Sequence, residues 1–253
     1  MWRDLAALVT GATGGIGQHL CASLIGEGAR VIAHGPAADE VDALSQRLAC
    51  EGLVCDLASL AAVRDVELPA IDVLINNAGI GFGANQLHRE VSADCLELRF
   101  AVNYLASVLL TRRYLARGGL RAIVNVASAG QRALDFDDLQ SERGYDGMTA
   151  YRRSKLAMVM WSLDLAAEQP VPVVSLHPGT FLDTGMVRQS GITPLGTAQH
   201  GAEMVRIAAE RALSGTTGVF FDELEPARAD EQAYDALARK MLRERTDALL
   251  SGA

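Results

Sequence analysis

Leu5-Ala-Ala-Leu-Val-Thr-Gly-Ala-Thr-Gly-Gly-Ile-Gly17 is the stretch whose reading decides the fold. Leu5 to Val9 is a short apolar run of strand length, and the four-glycine turn closes it abruptly. A helical pattern follows, with Ile16, Leu20, Leu24 and Ile25 on one face, and Gly28-Ala-Arg-Val-Ile-Ala33 then reads as a second strand. Strand, tight turn, helix and strand in about thirty residues make a βαβ unit, whose strands must run parallel. Gly11, Gly15 and Gly17 sit between the first strand and the first helix. Small residues there let the backbone turn sharply and approach a pyrophosphate at the positive end of the helix. The spacing differs from Gly-x-Gly-x-x-Gly, so the placement of the turn carries the reading rather than the motif.

The alternation continues outward from that unit. A helix is expected over about Asp39 to Ala49, a strand near Gly52 to Cys55, a helix from Leu60 and a strand over Asp72 to Asn76. A long helix is expected from Ala93 to Ala116, then a strand from Ala122 to Val126, a helix from about Ala150 and a strand from Val171 to Leu176. Short β-branched runs alternating with helices indicate an α/β fold, a Rossmann-type doubly wound parallel sheet in three α/β/α layers. With 253 residues and no repeat, low-complexity tract or linker, the chain reads as a single domain, 1–253.

Composition excludes several classes. A net charge of −8 opposes non-specific nucleic-acid binding. No apolar run approaches the ~18 residues of a spanning helix, and the opening Met-Trp-Arg-Asp leads straight into a strand, so no membrane partner and a cytoplasmic location are expected. Cys21, Cys50, Cys55 and Cys95 form no Cys-x-x-Cys pair and no cluster with histidine; they read as reduced structural thiols, and no metal is implied.

The chemistry centres on Ala150-Tyr-Arg-Arg-Ser-Lys155. Tyr151 and Lys155, four apart on a helix, share a face one turn apart. A positive charge beside a phenol favours the phenolate, and the pair suits acid–base work on an alcohol or ketone.

From Leu5 to Phe221 the chain resembles the short-chain dehydrogenase/reductase family. Thr10-Gly-Ala-Thr-Gly-Gly-Ile-Gly17 matches the family's Thr-Gly-x-x-x-Gly-x-Gly loop, and Asn76-Asn-Ala-Gly79 its Asn-Asn-Ala-Gly signature. Asp56-Leu57 matches the aspartate that approaches adenine. Asn103, Ser128, Tyr151 and Lys155 match the catalytic set, and His177-Pro-Gly179 with Thr184 resembles the segment that holds the carboxamide. The resemblance implies a nicotinamide dinucleotide against Gly11, Thr13, Gly14, Gly15, Ile16 and Gly17, then Asp56 and Leu57, then Asn77, Ala78 and Gly79. It implies further contacts from Tyr151, Lys155, Pro178, Gly179 and Thr184. It also implies that Tyr151 exchanges the proton, Ser128 holds the reacting oxygen, Lys155 lowers the phenol's pKa and binds the ribose, and Asn103 holds a relay water. His177 is read as structural or cofactor-adjacent.

Between Ser128 and Tyr151, Asp135-Phe-Asp-Asp-Leu139 and the run to Tyr145 resemble the branch containing retinol dehydrogenases and protochlorophyllide reductases, as do Gly218 to Asp222 and Gln232-Ala-Tyr234. Tyr145, ten positions before Lys155, is read as structural or part of a lid, with substrate contact as the alternative. The second strand ends Ala33-His34-Gly35-Pro36, without the acid that would bind the ribose 2′-hydroxyl of NAD. NADP is therefore favoured over NAD, with His34 as a donor to the 2′-phosphate.

The expected activity is NAD(P)-dependent interconversion of a carbonyl and an alcohol, with a small-molecule substrate and a leaning towards ketone reduction. The alternatives are reduction of an activated C=C or C=N bond, and a regulator that senses the dinucleotide without turnover. Substrate is expected to meet Gly79 to Gly83, the insert 129–149 and a lid over about 185–200. Met186, Val187, Ile192 and Leu195 would form the lid's apolar wall, and Arg188 and His200 its polar contacts. Met158, Met160 and Trp161 read as core or as a subunit interface in a homodimer or homotetramer.

Overall fold

The computed structural model describes residues 1–83 and 85–252. Eight strands form one sheet: β1 Ala6–Val9, β2 Arg30–Gly35, β3 Glu51–Val54, β4 Val73–Asn76, β5 Ala122–Val126, β6 Val173–His177, β7 Val219–Asp222 and β8 Glu225–Pro226. Their spatial order is β3-β2-β1-β4-β5-β6-β7-β8. Every pairing is parallel except the closing β7–β8 hairpin. The order reverses between β1 and β4, the switch point outside whose carboxyl ends a ligand crevice opens in such sheets.

Helices cover both faces because the central strands are apolar on both sides. On one face Ala7 and Val9 pack with Ile75, Val124 and Leu176 against α1 (Gly15–Gly26) and α8 (Ala198–Leu213). On the other, Leu8, Ile32, Leu74 and Ile123 meet α3 (Leu60–Asp65) and α5 (Ala106–Arg117). Beyond them lie α6 (Gly147–Glu168) and α9 (Ala236–Gly252), with α2 (Ala38–Leu48) beside β2 and β3.

Two expectations need correction. The helix expected from Ala93 starts instead at α4, Leu98–Phe100. Residues 92–97 are a loop in which Cys95 takes φ +62, Ala93 N–H donates to Ala58 O, and Asp94 accepts from Leu60 N–H at 2.8 Å. Asp94 thus serves the start of α3 rather than its own helix. The helix holding Tyr151 begins three residues early, at Gly147, because Asp146 caps it by accepting from Thr149 N–H at 2.9 Å. Met158 and Met160 take the core reading of the two open to them, at 1% and 0% exposure. Trp161 is part-buried and packs beside α9 of the same chain.

Candidate active site

The glycine turn is built for close approach. Gly11 has φ +64, and a Cβ on Gly17 would lie 2.2 Å from Gly11 O, so only glycine lets α1 pack down on β1. Helix α1 is preceded by Gly14 at the cap position, with no side-chain cap and no acid in the first turn. Its first N–H groups therefore stay available for an anion.

Thr10 ties this turn to the next strand end. Its hydroxyl accepts from Asn77 N–H and Ala78 N–H, both at 2.9 Å, while Asn77 Nδ2 donates to Thr10 O at 2.8 Å. Asn76, behind it, donates to Asn125 Oδ1 at 2.8 Å and Thr111 Oγ1 at 3.0 Å, bracing β4 against β5.

Asn103 lies in a π-helical turn, Ala101–Leu105, between α4 and α5. Such turns concentrate at functional sites because they re-aim side chains within a helix. Asn103 Oδ1 accepts from Ile80 N–H at 2.8 Å; its Nδ2 donates to Ile80 O at 3.1 Å and Ser154 Oγ at 3.0 Å. The side chain is thus committed to the Gly79–Gly81 turn and to Ser154.

Ser128 follows β5, and Tyr151 and Lys155 lie on α6. The structure brings them together in one cavity of about 510 Å³. Gly11, Thr13, Gly14, Gly15, Ile16, Asn77, Ala78, Gly79, Pro178, Gly179 and Thr184 line the same cavity. Lys155, 3% exposed, donates to Val126 O at 2.9 Å, and its Nζ lies 5.8 Å from the centre of the Tyr151 ring. Burial lowers its pKa to about 8, leaving it an ammonium at neutral pH. Burial also raises the Tyr151 phenol, against the pull of its hydrogen bond with Ser128.

His34 also departs from its expected part. It is 2% exposed, and its Nδ1 accepts from Gly11 N–H at 3.3 Å, so it props the glycine turn from beneath, while its buried Nε2 has no partner among the described residues. Burial lowers its pKa to about 4, which keeps it neutral. Asp56 is exposed and accepts from Ala58 N–H at 2.8 Å; Leu57 is buried beside β3. Both lie outside the cavity lining, as do Gly17, His34 and Asn103.

Around the substrate side, Phe82 stands edge-on to Tyr151, with ring centres 5.2 Å apart. Met186 closes over Gly81, and α7 (Gly185–Gln189) also brings Val187 and Gln189 to the cavity. The rest of the expected lid faces elsewhere. Leu195 is 74% exposed, Arg188 pairs with Asp183 at 2.7 Å, and His200 with Glu223 at 3.0 Å. Ile192 does not line the cavity. Tyr145 is structural: its hydroxyl donates to the buried Glu97 at 2.9 Å. His177 shares a 3.0 Å hydrogen bond with Thr180, and burial lowers its pKa. Met148, within the expected insert, lines the cavity, whereas sequence reading alone misses Arg152 at the rim.

A parallel sheet with an open glycine turn at its switch point, and a serine, tyrosine and lysine meeting in the cavity beside it, define an NAD(P)-dependent oxidoreductase. The family model for short chain dehydrogenase matches residues 5–194, and the chain belongs to that family, in its retinol-dehydrogenase-like branch. Human retinol dehydrogenase 14 is 32% identical, the match covering 92% of this chain and 83% of the relative. A Streptomyces sp. (strain C5) protein, named as an unproven daunorubicin C-13 ketoreductase, is 31% identical over 92% of this chain and 88% of its own. Among solved structures, the Pseudomonas aeruginosa RhlG/NADP complex superposes with a TM-score of 0.68 at 26% identity, covering 87% of this chain and 96% of that one. Among the described residues no helix is long and apolar enough to cross a membrane.

Proposed function

We propose that this oxidoreductase reduces a ketone or aldehyde to the alcohol with NADPH. The observation that carries the reading is the junction of Ser128, Tyr151 and Lys155 with the glycine turn in one cavity. The residues fit a dinucleotide: the uncapped start of α1 suits the pyrophosphate, and Asn77 to Gly79, Pro178, Gly179 and Thr184 suit the nicotinamide end. When bound, the nicotinamide supplies the hydride.

The chain's own groups manage the oxygen. Ser128 hydrogen-bonds the carbonyl oxygen and orients it, and Tyr151 donates its proton as negative charge develops there. A phenol carries its proton at neutral pH, as the reductive direction requires. Once the proton has left, the Lys155 ammonium stabilises the phenolate. Asn103 fixes the Gly79–Gly81 turn so that Phe82 backs Tyr151.

For the 2′-phosphate, the end of β2 carries no acid, and the Thr13 hydroxyl lies beside Gly35. Helix α2 begins without a side-chain cap, so its first N–H groups add donors. Asp39 and Glu40 in that first turn oppose them. The test is a fluorescence titration with NADPH and NADH, then turnover on aldehydes and ketones. The expected result is tighter NADPH binding, with carbonyl reduction lost in Tyr151→Phe while binding persists. Tight binding without carbonyl turnover would sink the reductase reading and leave C=C reduction or sensing.

A further inference from the structure

We infer that Arg152 is a substrate-recognition residue and that the substrate bears a carboxylate beyond its carbonyl, an inference that rests on the carbonyl-reductase reading of the same cavity. Arg152 lines the cavity rim and is exposed. A Cβ placed on Gly130 would lie 3.9 Å from its Nε and 3.4 Å from Ser128 Oγ. Gly130 N–H in turn donates to Ser128 Oγ at 3.0 Å. Ser128, Gly130 and Arg152 therefore form one continuous strip leading from the point that holds the carbonyl oxygen to the mouth.

Two further observations separate Arg152 from an ordinary solvated arginine. Among the described residues it makes neither a hydrogen bond nor an ion pair, whereas the adjacent Arg153 is held by Ser141 at 3.2 Å and Asp135 at 3.8 Å. No aspartate or glutamate among the described residues lines the cavity, in a chain whose net charge is −8. The cavity's own charges are the cations Lys155 and Arg152, and Lys155 is occupied with Val126 O. A guanidinium free of partners at an apolar mouth, with Phe82, Met148 and Met186 as walls, suits an apolar body ending in a carboxylate. The planar fork can take that group with two parallel hydrogen bonds.

The probes are 4-formylbenzoate and its methyl ester, which share the reacting aldehyde and differ in charge. With NADPH, the wild type is expected to favour the acid over the ester by about tenfold in kcat/KM, chiefly through KM, as a charged hydrogen-bonded pair at a partly open site would give. Arg152→Ala should bring that ratio to about one, Arg152→Glu should invert it, and Arg152→Lys should keep part of it. NADPH affinity, measured alongside, shows that each variant is folded. An acid-to-ester ratio that survives Arg152→Ala would overturn the assignment. If the wild type reduced neither probe, the carbonyl-reductase reading itself would fail. Calorimetric titration of 4-formylbenzoate into the NADPH-loaded wild type and Arg152→Ala would still decide the subsite. Weaker binding to the variant supports it, and equal binding or none to either removes it.

Discussion

His34 shows how burial turns one side chain into a pH-dependent part of the fold. Its pKa falls from 6.5 to about 4 because the ring lies beneath the glycine turn, out of water. On lowering pH the unfolded chain takes up the proton first. The stabilising contribution is therefore complete above about pH 6.5 and is lost progressively between 6.5 and 4. A shift of that size corresponds to about 3 kcal/mol. Asparagine can keep an acceptor near Gly11 N–H without titrating in this range. Denaturant melts at pH 7.5, 5.5 and 4.5 should show the wild type losing up to about 3 kcal/mol more than His34→Asn across that interval. Parallel loss in both proteins would mean that the ring takes up its proton without penalty. The sequence showed a histidine at a strand end, and from there donor and prop look alike. Which way the ring faces depends on β1 and the turn packed over it, and no local pattern reports that.

At the scale of elements, the loop before α4 and the insert before α6 act through one buried knot. Glu97, 1% exposed, accepts from Phe100 N–H at 2.7 Å and from Tyr145 Oη–H at 2.9 Å, with Arg99 Nη1 at 3.6 Å. Arg99 in turn donates from Nε to Gly81 O at 3.0 Å, and Gly81 adjoins the Phe82 that backs Tyr151. Tyr145→Phe removes one donor from a buried carboxylate, which should cost about 1–3 kcal/mol. The slackened 79–83 turn should also lower kcat several-fold while NADPH affinity holds. An unchanged denaturation midpoint would mean that Glu97 has found another donor.

The same knot explains what was and was not legible in the sequence. The turn at Gly11 to Gly17 and the Tyr151–Lys155 pair are short-range patterns, and they read directly. Ala93 to Leu98 also carries helix formers at apolar spacing, yet the partners that hold it as a loop, Ala58, Leu60, Gln140 and Tyr145, lie more than thirty residues away. Tertiary contacts of that range override local propensity. Within the lid stretch, Met186, Val187 and Gln189 reach the cavity, while Arg188 and His200 pair with Asp183 and Glu223, partners that no local pattern names.

For the molecule as a whole, α9 is the element that completes the core. Its Ala238, Leu242, Thr246 and Leu250 are buried, and Thr246 Oγ1 lies 2.8 Å from the hydroxyl of the fully buried Tyr104. Arg239 and Arg243 fasten it to Asp164 and Glu168 of α6 at 2.6 and 2.8 Å. These ion pairs are partly exposed and contribute little each, so the apolar seam carries the docking. Leu242, 2% exposed at the centre of that seam, is where the arrangement can be probed. Leu242→Ala should lower unfolding free energy by about 2–5 kcal/mol, the range for a core leucine truncated without collapse of the cavity. It should also loosen α9 from the Trp161 face, so that sedimentation velocity detects more concentration-dependent association than in the wild type. A wild-type midpoint in the variant would place α9 off the seam and return the α5–α6 face to a second copy of the chain. A lowered midpoint with new association would mean that the chain covers with its own last helix a surface that otherwise seeks a partner.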